Sequence, residues 1–343
     1  MKLSGPVVFE QFEQVVTRND PDTGLDAIIA VHSTARGPAL GGVRLKTYPD
    51  HAAALDDCLR LARAMTRKTA AAGLWLGGAK SVIVCDPKDK TPELLRAHGR
   101  FIQSLGGRYV PGIDIGTGAE DMRLIGTEAD VVTCTEGDPS YLTALGAYAG
   151  IVAAFEHVYG TGDMSGHTAV VQGVGHVGHH LARMLTKSSA TVMISDVVES
   201  RARALADEIG AVVLDPAEAI ATPCHVLAPC ALGEVVNPGT MDDLRCGILA
   251  GVANNVLSDD ALAVPLAERG VTFVPDFILS AGGITFLDEQ LRGGDEDSAV
   301  PRVLEIGDRV TSILTEADAA GVTPLEAATA LAEDRLAEPA GRH

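Results

Sequence analysis

Thr168-Ala169-Val170-Val171-Gln172-Gly173-Val174-Gly175-His176-Val177-Gly178 is the stretch that decides the fold of this 343-residue chain. Its opening residues are largely β-branched or apolar and read as a strand. Beyond the glycines, Val177, Leu181, Met184 and Leu185 fall on one helical face, and Thr191-Val192-Met193-Ile194-Ser195 returns to a strand-like pattern that ends in Asp196. The order is strand, glycine turn, helix, strand, acid.

Glycines at this spacing are a weak signal alone, but between a strand and a helix, with an acid about 20 positions on, they form a dinucleotide fingerprint. Gly173 permits the tight turn, Gly175 lets backbone N–H groups approach a pyrophosphate at the helix N-terminus, and Gly178 allows helix and strand to pack closely. Gln172, Val174, His176 and Val177 line the same turn. Asp196 is positioned to accept hydrogen bonds from ribose hydroxyls, and its charge repels a 2′-phosphate, so NAD is expected rather than NADP. Arg201 and Arg203, a turn or more into the following helix, remain within reach of a phosphate.

Downstream the alternation continues: a helix over 199–209, strands over 211–214, 225–228 and 248–252, a helix over 259–269 and a strand over 271–274. This rhythm predicts an α/β fold with a doubly wound parallel sheet. Upstream lies a smaller α/β domain, with strands at 25–33 and 81–84 and helices at 52–65, 92–105 and 119–125. The expected division is 1–137 for the first domain, joined again by a C-terminal helix from about 322 to 343, and 138–321 for the dinucleotide domain.

The smaller domain holds a second signal. Lys68 and Lys80 bracket Thr69-Ala70-Ala71-Ala72-Gly73-Leu74-Trp75-Leu76-Gly77-Gly78-Ala79, which contains no charge. An ammonium among apolar side chains either extends its stem to water or takes a partner, and desolvation favours its neutral form. Such a group can bind an anion or carry a proton. On these residues alone both readings stand.

The formal charge of −19 argues against nucleic acid or an anionic membrane surface as partner. No apolar run approaches membrane-spanning length, and Met1–Pro6 lacks the apolar core of a signal peptide, so a cytoplasmic enzyme without a membrane partner is expected. Six cysteines without C-x-x-C spacing read as reduced core thiols. His176 and His180 have the spacing of a metal pair but no evident third ligand, and no metal is expected.

Further motifs carry a resemblance. Gly37-Pro38-Ala39-Leu40-Gly41-Gly42-Val43-Arg44, Met65-Thr66-Arg67-Lys68, Leu76-Gly77-Gly78-Ala79-Lys80, Asp114-Ile115-Gly116-Thr117, Ala228-Pro229-Cys230-Ala231-Leu232-Gly233, Ala250-Gly251-Val252-Ala253-Asn254-Asn255, Pro275-Asp276-Phe277 and Ala281-Gly282-Gly283 resemble the glutamate/leucine/phenylalanine/valine dehydrogenase family, in family order over essentially the whole chain. The resemblance implies reversible, NAD-linked oxidative deamination of an L-amino acid to its 2-oxo acid and ammonia, by a homo-oligomer. Carried over by position, Lys68 holds the substrate carboxylate, Lys80 activates water, and Asp114 exchanges protons with the amino group or the carbinolamine. Leu40, Gly41, Gly42, Gly112, Asn255, Ile284 and Leu287 are implied around the substrate, and Thr143, Cys230, Ala231, Leu232 and Asn254 around the cofactor.

Glutamate-specific members resemble this chain but place a lysine where Leu40 stands, and an aliphatic side chain leaves a second carboxylate unpaired. Glycine at 112 and leucine at 287 resemble the phenylalanine pattern, so phenylalanine is expected first, with leucine and valine close behind. Arg67 and Trp75 depart from the family pattern; Trp75 reads as core filling or as a substrate contact. An alternative of another class is a catalytically silent dinucleotide sensor.

Overall fold

The computed structural model describes residues 11–231 and 233–338. Leu232, expected beside the cofactor, and positions 339–343 of the expected C-terminal helix lie outside the described residues. The chain forms two units: one runs to Asp138 and resumes at Ala332, and the other is Pro139–Leu331.

In the first unit β1 (Gln14–Asp20), β2 (Leu25–Ser33), β3 (Ala39–Lys46), β4 (Gly77–Val84) and β5 (Tyr109–Ile113) form one mixed sheet in the order β1-β2-β4-β3-β5. β2 is antiparallel to β1 and β4, whereas β3 runs parallel to β4 and β5. The helices are α1 (His51–Ala71), α2 (Pro92–Gln103) and α3 (Ala119–Ile125). β4, which carries Lys80, is therefore the central strand. β3 escaped the sequence reading because Gly41 and Gly42 lower its strand propensity; pairing on both edges overrides that local cost.

α1 starts where the Asp50 carboxylate accepts from the Ala53 N–H at 2.8 Å. Ala54, Cys58, Leu59 and Ala62 recur at helical spacing and cluster with Ile28, Ala30 and Val82 of the sheet. The helix does not stop at Met65 as its polar Thr66-Arg67-Lys68 suggested but continues to Ala71, and Gly73 follows at a φ of 72°. Close docking explains the extension. A Cβ on Gly78 would stand 2.1 Å from the Thr66 nitrogen, so only glycine lets the helix lie against β4 there. Lys68 thus sits on the last helical turn and Lys80 in mid-strand, not at two ends of a loop.

The returning segment seals this helix end. The Arg335 guanidinium donates to the Ala70 and Ala71 carbonyls at 3.2 and 2.6 Å, adding to the Gly73 N–H that Ala70 already accepts at 2.8 Å. Arg36 donates to the Leu74 carbonyl at 3.1 Å and to that of Arg335, and its guanidinium carbon lies 4.4 Å from the Trp75 ring centre. Trp75 is therefore a half-buried stacking partner of Arg36.

The second unit begins with α4 (Pro139–Tyr159) and continues through β6 (Thr168–Gln172), α5 (Gly178–Lys187), β7 (Thr191–Ser195), α6 (Glu199–Ile209), β8 (Val212–Val213), β9 (Cys224–Pro229), β10 (Cys246–Leu249), α7 (Ala263–Glu268) and β11 (Thr272–Phe273). α8 (Asp276–Leu279), α9 (Gly282–Leu291) and α10 (Glu296–Ala320) complete it, and α11 (Pro324–Ala337) carries the chain back to the first unit. The six strands are all parallel, in the order β11-β10-β9-β6-β7-β8. This is the doubly wound Rossmann order, and it reverses between β6 and β9, where such sheets bind ligands. The expected helix over 259–269 splits into a 3₁₀ turn, Asp260–Leu262, and α7. α4, an element absent from the sequence reading, carries Gly146 and Gly150 in mid-helix. Added Cβ atoms there would stand 2.5 Å from Ile306 Cδ1 of α10 and 2.4 Å from Leu279 Cδ2 of α8, so both glycines serve close helix packing.

Arg335→Ala should remove the donor shared by the Ala70 and Ala71 carbonyls and destabilise the first unit by about 1–3 kcal/mol. Hydrogen exchange should show faster opening at residues 70–74 with β6 and β7 unchanged. Uniform acceleration across both units would count against this account.

Candidate active site

The first unit gathers four charged side chains on the α1 face of its sheet. Alternation along β3 places Leu40, Gly42 and Arg44 on one face, and the Lys80 ammonium of β4 meets the Asp114 carboxylate just beyond β5 in an ion pair. Arg44 forks onto the same carboxylate, with Nε 3.1 Å from Oδ2 and Nη2 3.4 Å from Oδ1, and its Nη1 reaches Asp57 Oδ2 of α1 at 3.0 Å. Tyr48 and Arg60 donate to Asp57 as well, each at 2.8 Å. The Lys80 and Asp114 side chains are only 7% and 16% exposed, so their attraction acts where water screens little.

Gly42 makes this meeting possible. A Cβ there would stand 2.8 Å from Asp114 Cβ, 2.7 Å from the Ile113 carbonyl and 3.1 Å from Lys80 Nζ. Gly41 likewise lies against β4, 1.9 Å from the Ala79 carbonyl at its would-be Cβ, while Tyr109 donates its hydroxyl to the Gly41 carbonyl at 2.9 Å. Gly112 is the registered partner of Gly42 across the β3–β5 pair. Asp114 also serves the turn that its sequence suggested: its Oδ1 accepts from the Ile115 N–H at 2.7 Å, ahead of Gly116 at a φ of 79°.

Burial by itself would raise the Asp114 carboxyl. The Lys80 and Arg44 cations, the Lys80 hydrogen bond and the Ile115 N–H more than offset it and bring the group down to about 2. Asp57 is also lowered, because Tyr48, Arg44 and Arg60 outweigh its desolvation. On the opposite face of β4, Ser81 contacts the fully buried His98 ring at 2.8 Å, and burial drives that imidazole down to about 3, so it stays neutral.

Of the residues predicted around the substrate, Leu40 is buried at 1% exposure, and Lys68 stands half-buried two positions past Thr66, whose hydroxyl lies 3.4 Å from the Gly78 carbonyl. Asn255, Ile284 and Leu287 belong to the second unit. Asn255 takes a φ of 56° and donates its N–H to Asp276 Oδ2 at 3.0 Å; Ile284 and Leu287 are buried on α9.

The glycine turn of the second unit fits a dinucleotide. Gly173, at a φ of 91°, would place a Cβ 2.4 Å from the Ala231 Cβ, and Gly178 one 1.9 Å from the Gly173 carbonyl. Gly175 faces open space instead, where a pyrophosphate can approach the start of α5. Asp196 holds the turn, its Oδ2 accepting from the Val174 N–H at 2.9 Å and its Oδ1 from the Val198 N–H at 2.8 Å, with Arg201 at 3.3 Å. Arg203 turns to Glu199. Gln172 Oε1 and Ser195 Oγ, on registered residues of β6 and β7, are buried without a hydrogen-bond partner among the described residues, and a bound group can satisfy them. A depression of about 400 Å³ beside the turn is lined by Val174, Gly175, His176, His179, Arg183 and Arg201, among others.

Two motifs far apart in sequence meet beside this turn. A Cβ on Gly233 would lie 2.2 Å from the Asn254 carbonyl, and the Cys230 N–H donates to the Gln172 carbonyl at 2.7 Å. Val177 precedes α5, and Thr143 on α4 lies against Gly283, whose Cβ would stand 2.7 Å from the threonine Oγ1. His180 packs edge-on against Tyr141.

Arg44 and Asp57 had not been singled out. The available signal was the two-residue step from Gly42 to Arg44 along a strand, hidden while β3 itself went unread.

Residues 12–130 match the family described as Glu/Leu/Phe/Val dehydrogenase, dimerisation domain, and residues 196–288 match Glutamate/Leucine/Phenylalanine/Valine dehydrogenase. The chain is 41% identical to a leucine dehydrogenase of Bacillus cereus over 95% of its own length and 91% of the relative's. It is 40% identical to a valine dehydrogenase of Streptomyces albus, covering 96% of this chain and 93% of that one. The crystal structure of L-tryptophan dehydrogenase from Nostoc punctiforme superposes with a TM-score of 0.84 at 38% identity, covering 95% and 96% of the two chains.

Asp114 gives the fold an acid sensitivity of known sign. Its folded-state value, about 2, lies below the reference value of 3.8, so it adds stability above pH 4 that is lost as pH falls toward 2. Asp114→Asn should remove a pH-dependent contribution of about 2 kcal/mol from that window, read from urea midpoints at pH 2.5 and 6. An unchanged pH slope in the variant would contradict the assignment.

Proposed function

The chain belongs to the glutamate/leucine/phenylalanine/valine dehydrogenase family, an amino acid dehydrogenase using a nicotinamide dinucleotide, and we propose that it interconverts an apolar L-amino acid with its 2-oxo acid and ammonia, using NAD. The buried Lys80–Asp114 pair, formed on the glycine bay of β3, is the observation that carries this reading.

Bound nicotinamide supplies the acceptor for the hydride that leaves Cα. Lys68 holds the substrate carboxylate. Lys80 acts as the neutral amine, its ammonium proton having passed to solvent, and withdraws a proton from water so that a hydroxide equivalent adds to the imino carbon, while Asp114, which enters as a carboxylate, receives and returns protons at the nitrogen. The cations around Asp114 hold it ionised and make it a weak base, so it accepts a proton only when one of them withdraws. Asn255 and Asn254 are assigned to substrate and nicotinamide, and Thr143, Gln172, Cys230, Ala231 and the residues of the glycine turn to the cofactor. The silent-sensor alternative is set aside, because the relatives are named dehydrogenases and the charged cluster is whole.

NAD is preferred to NADP because the Asp196 carboxylate lies at the turn and Arg201 is drawn onto it. Substrate order is revised from the sequence expectation. Gly112 and Leu287 pointed to phenylalanine, yet single groups of that size decide only about 1–3 kcal/mol. Relatives at 41% and 40% identity named for leucine and valine weigh more, so branched-chain substrates come first and aromatic ones second. Leu40, buried and uncharged, supports exclusion of glutamate. A homo-oligomer built through the first unit is supported by the description of the segment matched at residues 12–130, and a cytoplasmic location by composition.

An NADH and NADPH absorbance assay over leucine, valine, phenylalanine, tryptophan and glutamate should give the highest kcat/KM with NAD and leucine or valine. Preference for glutamate, or no turnover with any of the five, would reject the proposal. Lys80→Ala should lower kcat by about 10²–10⁴-fold with NAD binding intact. Gly42→Ala, which forces Asp114 away from Lys80, should cost about 10²-fold.

A further inference from the structure

Resting on that reading, we propose that Arg44, gripped by Asp57, is the positioning residue that aims the Asp114 carboxylate at Lys80, so that four side chains and not two form the working unit. The planar guanidinium takes Asp114 on Nε and Nη2 and Asp57 on Nη1, and fixing its plane at Asp57 fixes the carboxylate plane at Asp114.

Donor bookkeeping supports a role beyond packing. Asp114 Oδ2 faces Lys80 and Arg44 Nε, and Oδ1 faces the Ile115 N–H and Arg44 Nη2, which fills the roughly four acceptor positions of a carboxylate. Arg44 cannot lose its proton in use, whereas Lys80 can. A place for a substrate proton on Asp114 therefore opens when Lys80 turns to its water, while Arg44 keeps the carboxylate from following. A buried ion array is a poor device for stability alone, because apolar side chains of like volume serve as well.

The charged and titratable groups that face Asp114, directly or through Arg44, come from every packed element. Lys80 belongs to β4, Arg44 and Lys46 to β3, Asp57, Cys58 and Arg60 to α1, and Tyr109 to β5, while Tyr48 lies between β3 and α1. Lys46 lies 4.6 Å over the Tyr48 ring, the Cys58 thiol donates to the Lys80 carbonyl at 3.4 Å, and burial pushes that thiol up to about 12, so it remains neutral. Tyr109 is committed to the Gly41 carbonyl. Asp57 is the one further carboxylate on Arg44 among the described residues.

The test uses the full-length protein with Arg44→Gln, Arg44→Lys and Asp57→Asn, steady-state kinetics with leucine and NAD, and ¹³Cγ-aspartate NMR titration, with the Asp114 signal assigned by Asp114→Asn. Arg44→Gln should lower kcat about 10²-fold with KM within about threefold, and raise the Asp114 midpoint by about one unit or more. Arg44→Lys should keep the midpoint low and restore part of kcat, since the charge returns without the fork. Asp57→Asn, which retains Arg44 and a polar neighbour if the glutamine variant does not fold, should lower kcat about tenfold with the midpoint still low. Wild-type kcat in Asp57→Asn, or an Asp114 midpoint unmoved in a folded Arg44→Gln, would overturn the proposal. A wild-type protein that oxidises no amino acid would sink the functional reading instead, and the titration would still decide whether Arg44 governs Asp114.

Discussion

Charge taken out of water must be balanced where it lies, and in this protein the balance is struck inside one sheet. Lys80 and Arg44 face Asp114 and Asp57 with little solvent around them, so two cations and two carboxylates compensate each other locally. The surrounding architecture serves that arrangement. β4 is central because Lys80 must be reached from α1 and β3 together, and glycines stand at 41, 42, 77 and 78 because side chains there would hold those elements apart. The overall charge of −19 plays no part in it.

Much of this was legible in the chain. The second unit was read from its glycine turn, since strand, turn, helix and acid are local features whose period and spacing survive in one dimension. Lys80 stood out through the uncharged run before it, and Asp114 through its motif. Arg44 and Asp57 did not, because a charge on a strand or helix reads as a solvated face until its partner is known. Asp114 lies 70 residues from Arg44, a contact no periodicity reveals. Glycines stand inside two elements absent from the sequence reading, β3 and α4. In each the residue was present for a neighbour's approach rather than for a break in the element, and only tertiary contact distinguishes the two.

The two units meet their chemical tasks by opposite means. In the second, Gly175 leaves open space at the start of α5, and Asp196 ties the turn to the strand beside it by accepting from the Val174 N–H. Gln172 and Ser195 leave buried polar atoms without a hydrogen-bond partner among the described residues, which a bound dinucleotide can satisfy. In the first, the four acceptor positions of Asp114 are filled by Lys80, Arg44 and the Ile115 N–H, and the proposed proton transfer needs one of them to open.

Arg335 gives the first unit a place in time. Its guanidinium closes the end of α1 at Ala70, 265 residues earlier in the chain. At synthesis rates of about 5–20 residues per second, that helix end waits roughly 13–50 s on the ribosome for its cap. The second unit, which ends at Leu331, is completed only four residues before Arg335, so both units wait for the same last stretch of the chain. The lysine-bearing helix, made early, is therefore open to chaperones or proteases until translation has passed Arg335.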